Sequence, residues 1–447
     1  MRNIEEIVEF AINLVSDKTG QSFSYIHKVI LRESLLETKK TYAQIAQENN
    51  YSENYIKFCV APRVWQLLST VVNEKVNKTN CRALLEQYIK QSTALKNLVE
   101  PQNNNKNNNL TVQESPEGQV PLASALYIER PPIEETCYRE ILQASSLICI
   151  KAPRRMGKTS LIARILDYGT QHNYRTVRLS LNLAGTAVLT SIDRFLRWFC
   201  TNVTQQLGLE SHLNEYWDED MGALINSTIY FQAYLLPTID GPIVLALDSV
   251  SQLFEYPNLA RDFLALLRSW YEESKDISVW QKLRMIISHS TEIYIPLPSN
   301  RSPFNVGLTV ELPPFNREQV KDLAQRHELQ INAAELEQLM NLTEGFPYLV
   351  RLAMYQSVRS ETALNALLKD ATTDTGIYSQ HLQYQLWHLQ QDPKLIESFQ
   401  QVLIAPTKLD IEVASKLKSL GLVQVVNNQA TVSCGLYQKF FSIQVLN

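Results

Sequence analysis

From residue 145 onward, short apolar runs alternate with stretches whose apolar positions recur every three or four residues. "SSLICIK" (145–151), "RTVRLSL" (175–181), "PIVLALD" (242–248), "LRMIIS" (283–288) and "VGLTVEL" (306–312) each predict a strand. Helical stretches lie between them. The alternation predicts a parallel sheet with helices on both faces. From about 316 to 370 the pattern is helical, and Asn316 with Gln319 three residues on opens it as a capping box. More helices follow after 380. Two short alternating runs in "GLVQVVNNQATVSC" then flank Asn427-Asn428 and predict a hairpin. Helices closing on a hairpin suggest a winged helix.

The first hundred residues read differently. Ile4, Ile7, Val8, Ala11 and Ile12 fall at helical spacing. Ala43, Ile45 and Ala46 give one short helix, and "NNYS" a turn ending in Ser52 as cap. Tyr55, Ile56 and Val60 give a second helix bounded by Pro62. "RVWQLLSTVV" forms a third. A small-residue helix, a polar turn and a capped helix make a helix-turn-helix signature. Between the two regions, "EPQNNNKNNNLTVQESPEGQVP" (100–121) is Asn-rich and has almost nothing to bury. Such a segment cannot recover its ordering entropy, so a flexible tether is expected.

Composition narrows the picture only a little. The 447 residues are 45% hydrophobic and 20% charged, with a net charge of −4, so the whole chain is no polyelectrolyte binder. Residues 27–99, however, hold eleven Lys/Arg against six Asp/Glu. That hints at an anionic partner, although a solvated helical surface explains it equally well. If duplex DNA is the target, Glu53, Asn54 and Lys57 sit early on the second helix, where base edges would be met. Lys57 and Arg63 would then meet phosphates. Helix-turn-helix cores also dock proteins, and charge does not choose between the two. Cysteines 59, 81, 137, 149, 200 and 434 form no CxxC pair and read as core residues of a reduced protein. No stretch has the roughly 18 apolar residues of a membrane span. The N-terminal "MRNIEEIVEF" carries glutamates where a signal peptide needs positive charge. A cytoplasmic protein that makes no membrane contact is expected.

The strongest chemistry lies in "KAPRRMGKTSLIARIL" (151–166), which follows the first strand and opens a helix. It reads against the P-loop pattern GxxxxGK[ST] as Ala152, Pro153, Arg154, Arg155, Met156, Gly157, Lys158, Thr159. Gly157 lets the backbone turn close to phosphate. Lys158 reaches the β- and γ-phosphates, and the Thr159 hydroxyl suits magnesium. The helix N-terminus, through Ser160, adds amide donors and positive dipole. Ala152 replaces the first glycine, at a position that needs a small residue more than a positive φ. Arg154 and Arg155 either add charge around the phosphates or face solvent. Asp248 ends the third strand and is the matching magnesium acid. His289 and Ser290 end the fourth strand, where a γ-phosphate would be sensed; a structural histidine is the alternative. "EGFPYLV" (344–350) places Gly345 and Pro347 at a helix start.

Together these pieces resemble the AAA-like ATPases common in cyanobacteria, related to STAND and origin-recognition ATPases. "YIERPPIEE", "KAPRRMGKTSLIARIL", "VLALDSVSQLFEYP", "WQKLRMIISHSTEIYIPL", "SPFNVGLTVELPPF" and "EGFPYLVRLA" carry the resemblance over residues 122–447. Residues 1–90, through "TYAQIAQENNYS" and "KVNKTNCRALLEQYI", resemble the helix-turn-helix domain of proteins associated with von Willebrand A and MoxR systems. The resemblance implies a P-loop core with the third strand beside the first. It also implies Gly345 and Pro347 where a helical lid meets adenine, and a nucleotide-holding loop at Tyr127 to Pro132. The implied architecture is multidomain α/β. It comprises a helix-turn-helix domain (1–99), a tether (100–121), a P-loop core (122–315), a helical lid (316–375) and a winged-helix-like domain (376–447).

One departure matters. The family often has an acid after the magnesium Asp, and here Ser249 follows Asp248, with Ser251 in place of a second acid. Serine hydrogen-bonds water but is a poor base near neutral pH, and general bases contribute about 10²–10⁴-fold. The expected function is an ATP- and Mg²⁺-binding switch with weak or absent hydrolysis. It would couple nucleotide state to a protein or DNA partner, perform no membrane role and oligomerise with nucleotide. The alternatives are an active ATPase whose acid comes from Glu255 or a neighbouring subunit, and an adaptor with a relic P-loop.

Overall fold

The computed structural model describes residues 4–19, 23, 25–36, 40–49, 53, 56–72, 74–97, 114–290 and 298–446. The chain divides into two compact units, residues 1–110 and 111–447.

The N-terminal unit is helical: α1 (Ile4–Thr19), α2 (Tyr25–Leu35), α3 (Tyr42–Glu48), α4 (Ala61–Val72) and α5 (Cys81–Asn97). Thr41 caps α3 in a capping box with Gln44. Ile7, Ala11, Ile30, Leu31, Ile45, Ile56, Val64, Leu68 and Leu85 form one core, as the helical spacing predicts. One expectation fails. Pro62 does not end a helix. A π-helical turn at Ile56–Val60 runs straight into α4, and Pro62 is the second residue of α4. The ladder changes from π to α spacing just before Pro62, and the missing proline N–H falls at that change without ending the helix. Ser52 and Asn54 lie outside the described residues, as does the side chain of Arg63. Glu53 and Lys57 are exposed.

The second unit is built on five parallel strands: β1 (Leu147–Lys151), β2 (Arg175–Ser180), β3 (Ile243–Asp248), β4 (Leu283–His289) and β5 (Leu308–Glu311). All five fall where the apolar runs predict. The order is β2-β3-β4-β1-β5, with β4 paired to both β1 and β3. The third strand is therefore not beside the first, contrary to the expectation drawn from family resemblance. Every parallel pair needs a crossover helix whatever the spatial order, so the apolar pattern cannot show where β4 inserts. The central strands β1, β3 and β4 are buried almost throughout, whereas the edge strands β2 and β5 are partly exposed.

Strand residues alternate between two cores. On one face Ile148, Ile150, Val244, Ala246 and Ile286 pack under helices α6 (Ile133–Ile141) and α7 (Lys158–Gln171). This core continues into the later helices through Leu349, Phe399 and Tyr437. On the other face Leu147, Cys149, Leu245, Met285 and Ile287 meet α8 (Ile192–Gln206) and α9 (Pro257–Asp276) through Phe195, Phe199, Phe263 and Trp270. Beyond the sheet come α10 (Arg317–Arg326), α11 (Ala333–Thr343) and α12 (Pro347–Arg359), then α13 (Ser379–Gln390), α14 (Pro393–Ile404) and α15 (Ile411–Ser419). Asn316 caps α10 in the expected box with Gln319. An antiparallel hairpin of β6 (Val423–Val426) and β7 (Gln429–Val432) turns at Asn427-Asn428, both with positive φ, before the last helix α16 (Gly435–Leu446). Five cysteines (81, 137, 149, 200 and 434) are free and buried, and the side chain of Cys59 is not described. Among the described residues no helix is long and apolar enough to cross a membrane.

A further correction concerns the tether. Residues 114–121, assigned by composition to the flexible segment, pack onto the second unit. Ser160 Oγ accepts the Val120 N–H at 3.0 Å, and Arg164 donates to the carbonyls of Val120 and Pro121. Composition does not show this, because the segment is held mainly by hydrogen bonds and charge, with Pro116 its one buried residue among 114–120.

Candidate functional site

At the end of β1 the chain turns through 152–157 into α7. Gly157, immediately before α7, has φ +96°, and a Cβ there would come within 2.9 Å of the Arg130 guanidinium. Ala152 is buried and is not among the positive-φ residues, so a methyl group is accommodated where the pattern has glycine. The Lys158 ammonium folds back onto the loop, donating to the carbonyls of Ala152 (2.7 Å) and Pro153 (2.8 Å). Burial pushes its pKa down to about 7; the Asp248 carboxylate opposes the shift and the Arg154 cation adds to it.

Asp248 lies two strands from β1, roughly 10 Å across the sheet at 4.7–4.9 Å per strand. The first turn of α7 leans over that gap. The Thr159 hydroxyl donates to Asp248 Oδ2 at 3.0 Å. Asp248 is buried and also accepts from Ser288 Oγ (2.6 Å) and from Arg178 (3.2 Å). A hydroxyl and a carboxylate meeting beside the P-loop lysine fit a magnesium ion shared with phosphate oxygens; Thr159 and Asp248 would hold it.

Ser249 stands in the left-handed region (φ 64°, ψ 40°). Its N–H donates to Ser288 Oγ at 3.1 Å, and its hydroxyl accepts from Asn182 Nδ2 at 3.1 Å. A second serine cluster joins this turn to β4 and the C-terminal region. Ser251 and Ser290 hydroxyls are 2.9 Å apart, and Ser419 Oγ donates to Ser290 Oγ at 3.1 Å. The Arg154 N–H donates to the Ser419 carbonyl at 3.0 Å.

These groups surround a cavity of about 700 Å³. Arg154, Arg155, Met156, Gly157, Lys158, Thr159 and Ser160 line it, with Asp248, Ser249 and Pro347. Four expected residues do not. Ala152 and Pro153 serve it through their carbonyls on Lys158. Gly345 (φ +72°) instead joins lid to core: its carbonyl accepts the Phe315 N–H at 2.8 Å, and a Cβ would sit 2.0 Å from the Phe315 oxygen. His289 is buried on the opposite face, its ring 4.7 Å from Phe304. Strand parity explains this: Ser288 and Ser290 point to the P-loop face, so His289 points away.

Sequence reasoning missed several cationic and polar groups. Arg130 is buried beneath the P-loop and donates to the Met156 carbonyl at 2.8 Å. Arg178 reaches Asp248 from an edge strand, and Arg351 enters the cavity from α12. Arg130 and Arg351 lie inside the quoted motifs, but a lone arginine carries no periodic signal. His388, Lys416 and Ser419 bring α13 and α15 into the cavity wall.

Residues 115–443 match the AAA-like domain family over nearly three quarters of the sequence. The chain belongs to that family. Residues 2–88 match the N-terminal helix-turn-helix of vWA-MoxR associated proteins. No curated protein matches the sequence. Among solved structures, this AAA-like chain is similar to a Walker-type ATPase of Pyrococcus abyssi, at 12% identity and a TM-score of 0.51 over 70% of this chain and 95% of that one. Orc1 of Aeropyrum pernix, solved with DNA, matches at 11% identity and a TM-score of 0.37 over 73% and 96%. DnaA of Aquifex aeolicus, solved with AMPPCP, matches at 14% and 0.32 over 60% and 69%. The first of these likenesses supports the P-loop ATPase fold of the second unit and nothing finer.

Proposed function

We propose that this AAA-like protein is a nucleotide switch. It binds ATP with magnesium, hydrolyses it slowly, and passes the state of the cavity to its C-terminal region. The observation that carries the reading is the hydrogen-bonded path from P-loop to C-terminus: Arg154 N–H to Ser419 O, and Ser419 through Ser290 to Ser251. In this reading, phosphate entering beside Arg154 and Lys158 acts on α15 through those bonds. The second strand of the argument is Ser249, which ties its hydroxyl to Asn182 and offers no carboxylate to a water.

In this reading Lys158 and the α7 N-terminus bind the phosphates, and Arg155 and Arg178 add charge. Thr159 and Asp248 hold magnesium, which supplies charge neutralisation at the phosphate oxygens. Pro347, Leu323 and Tyr127 wall the end suited to a base. The C-terminal helices and hairpin serve as a winged-helix-like responder. Calorimetry with Mg·ATP, paired with phosphate release from the same preparation, tests the proposal. Binding with turnover well below the roughly 1–10³ s⁻¹ of ordinary enzymes is expected. Absence of binding that persists when Glu114 and Glu117 are changed to Gln removes the switch, and brisk release removes the slow hydrolysis.

The basic N-terminal helix-turn-helix unit is the part suited to a partner. Titrating the full chain with mixed-sequence duplex DNA separates the two partner classes. A nucleic-acid partner gives binding that falls steeply with salt as counterions are released. No shift at low salt leaves a protein partner.

A further inference from the structure

Residues 116–120 line the cavity, and the polar side chains of the strap 114–120 reach two of its arginines and a third, Arg178, that holds Asp248. Glu114 Oε2 lies 3.3 Å from Arg351, whose side chain is 7% exposed. Glu117 Oε1 lies 3.7 Å from Arg155 and accepts the Tyr348 hydroxyl at 2.6 Å. Gln119 Oε1 accepts from Arg178, the arginine that also holds Asp248. The three arginines come from α12, the P-loop and β2, so one short segment gathers cations from three separate elements. Arg155 also stacks 4.0 Å over the Tyr348 ring, which places strap, P-loop and lid in one cluster. The Nε of Arg351 is buried without a partner. A guanidinium this buried needs an anion, and here the strap supplies one.

We propose that the strap is an autoinhibitory phosphate mimic: Glu114 and Glu117 occupy the cavity arginines until a nucleotide triphosphate displaces them. The inference rests on the ATP-binding reading of the same cavity. Arg155 and Arg351 line the space that Lys158 and Thr159 assign to phosphate, and Arg178 reaches it through its bond to Asp248. A triphosphate brings three to four negative charges to the same guanidinium groups, and phosphate oxygens accept paired N–H donors as well as a carboxylate does. Two anions on one guanidinium divide its donors and repel each other, so binding and strap release are linked. Release has a reach of its own. The strap lies close to the start of the second unit, at the C-terminal end of the Asn-rich segment. Freeing seven residues lengthens the connection to the N-terminal unit by up to roughly 24 Å at 3.3–3.6 Å per residue.

The test compares full-length wild type with Glu114→Gln/Glu117→Gln, which keeps the shape and removes the charge. Calorimetry with Mg·ATP should show affinity at least about fivefold tighter in the variant. Hydrogen exchange on wild type supplies a readout free of mutation: with Mg·ATP, exchange should rise across 114–120 and fall across 154–160. Unchanged or weaker ATP affinity in the variant overturns the strap, as does greater protection of 114–120 with ATP, which would make the segment a clamp over bound nucleotide. Failure of ATP to bind wild type while binding the variant supports autoinhibition. Failure to bind either chain overturns the nucleotide reading and the strap with it.

Discussion

On the P-loop side of the cavity, Gly157 makes a turn that a Cβ would obstruct, Lys158 is held by two loop carbonyls, and Thr159 meets Asp248 at 3.0 Å. On the β3 side, one residue further along the chain, Ser249 is spent on Asn182 and Ser288. The two sides are equally well ordered by hydrogen bonds, yet they differ in chemistry. The first presents fixed amide, ammonium and hydroxyl groups to a polyanion. The second presents hydroxyls where in-line attack needs a group that holds and deprotonates water. In the proposed switch, binding and hydrolysis are separable because the groups assigned to phosphate are not those that would activate water.

Removing the gripping side should have the largest effect. In Lys158→Ala the ammonium is lost and the carbonyls of Ala152 and Pro153 lose their donor. A hydrogen bond to a charged group contributes about 1.5–3 kcal/mol, so ATP affinity should fall about 100-fold, near 2.7 kcal/mol. Calorimetry on the variant reads this directly. An unchanged affinity would dissolve the contrast, because the P-loop would not be the binding side.

Restoring the missing group should have the next largest effect. Ser249→Glu places a carboxylate directly after Asp248. The backbone there is already left-handed, and glutamate tolerates that region about as poorly as serine, so the substitution adds little strain. Turnover should rise about tenfold, a barrier change near 1.4 kcal/mol, with ATP affinity within about twofold of wild type. A variant that gains binding but no rate would show that the hydrolysis side lacks more than an acid.

Much of this site was legible in the sequence, for particular reasons. The five strands are apolar runs buried in a parallel sheet, and the P-loop is a fixed spacing with a mechanism behind each residue. Asn427-Asn428 and Asn316 announce a turn and a cap through their own side chains. What could not be read depends on space. The insertion of β4 between β1 and β3 leaves no mark on either strand. Residue type points to His289, whereas strand parity turns Ser288 and Ser290 toward the P-loop face and puts Ser290 in the cavity wall. The strap was hidden for the same reason: Glu114 and Arg351 are 237 residues apart, and only the fold makes them partners. In the N-terminal unit, Pro62 reads as a stop because proline lacks an N–H, whereas the π-turn that carries the helix past it has no signal in the sequence.

The smallest expected effect is the sharpest test of the comparison. Glu255 ends the turn that follows β3, lines the cavity and is exposed. It is the acid in the same turn that would take over if Ser249 has merely moved the catalytic role along the chain. Water activation needs a carboxylate held within hydrogen-bond reach of the nucleophile, about 2.6–3.2 Å. An exposed glutamate must give up side-chain freedom to stay there, at a cost on the order of 1–2 kcal/mol each time. Ser249, by contrast, sits inside the hydrogen-bonded turn itself. Glu255→Gln should therefore change turnover by less than about twofold and leave ATP affinity unaltered. Phosphate release by wild type, Glu255→Gln, Ser249→Glu and the double variant checks it. If the two sites are independent, the double variant should match Ser249→Glu alone. A tenfold loss in Glu255→Gln would mean that the β3 side keeps its acid after all, at the far end of the turn, and that both sides of the cavity are complete.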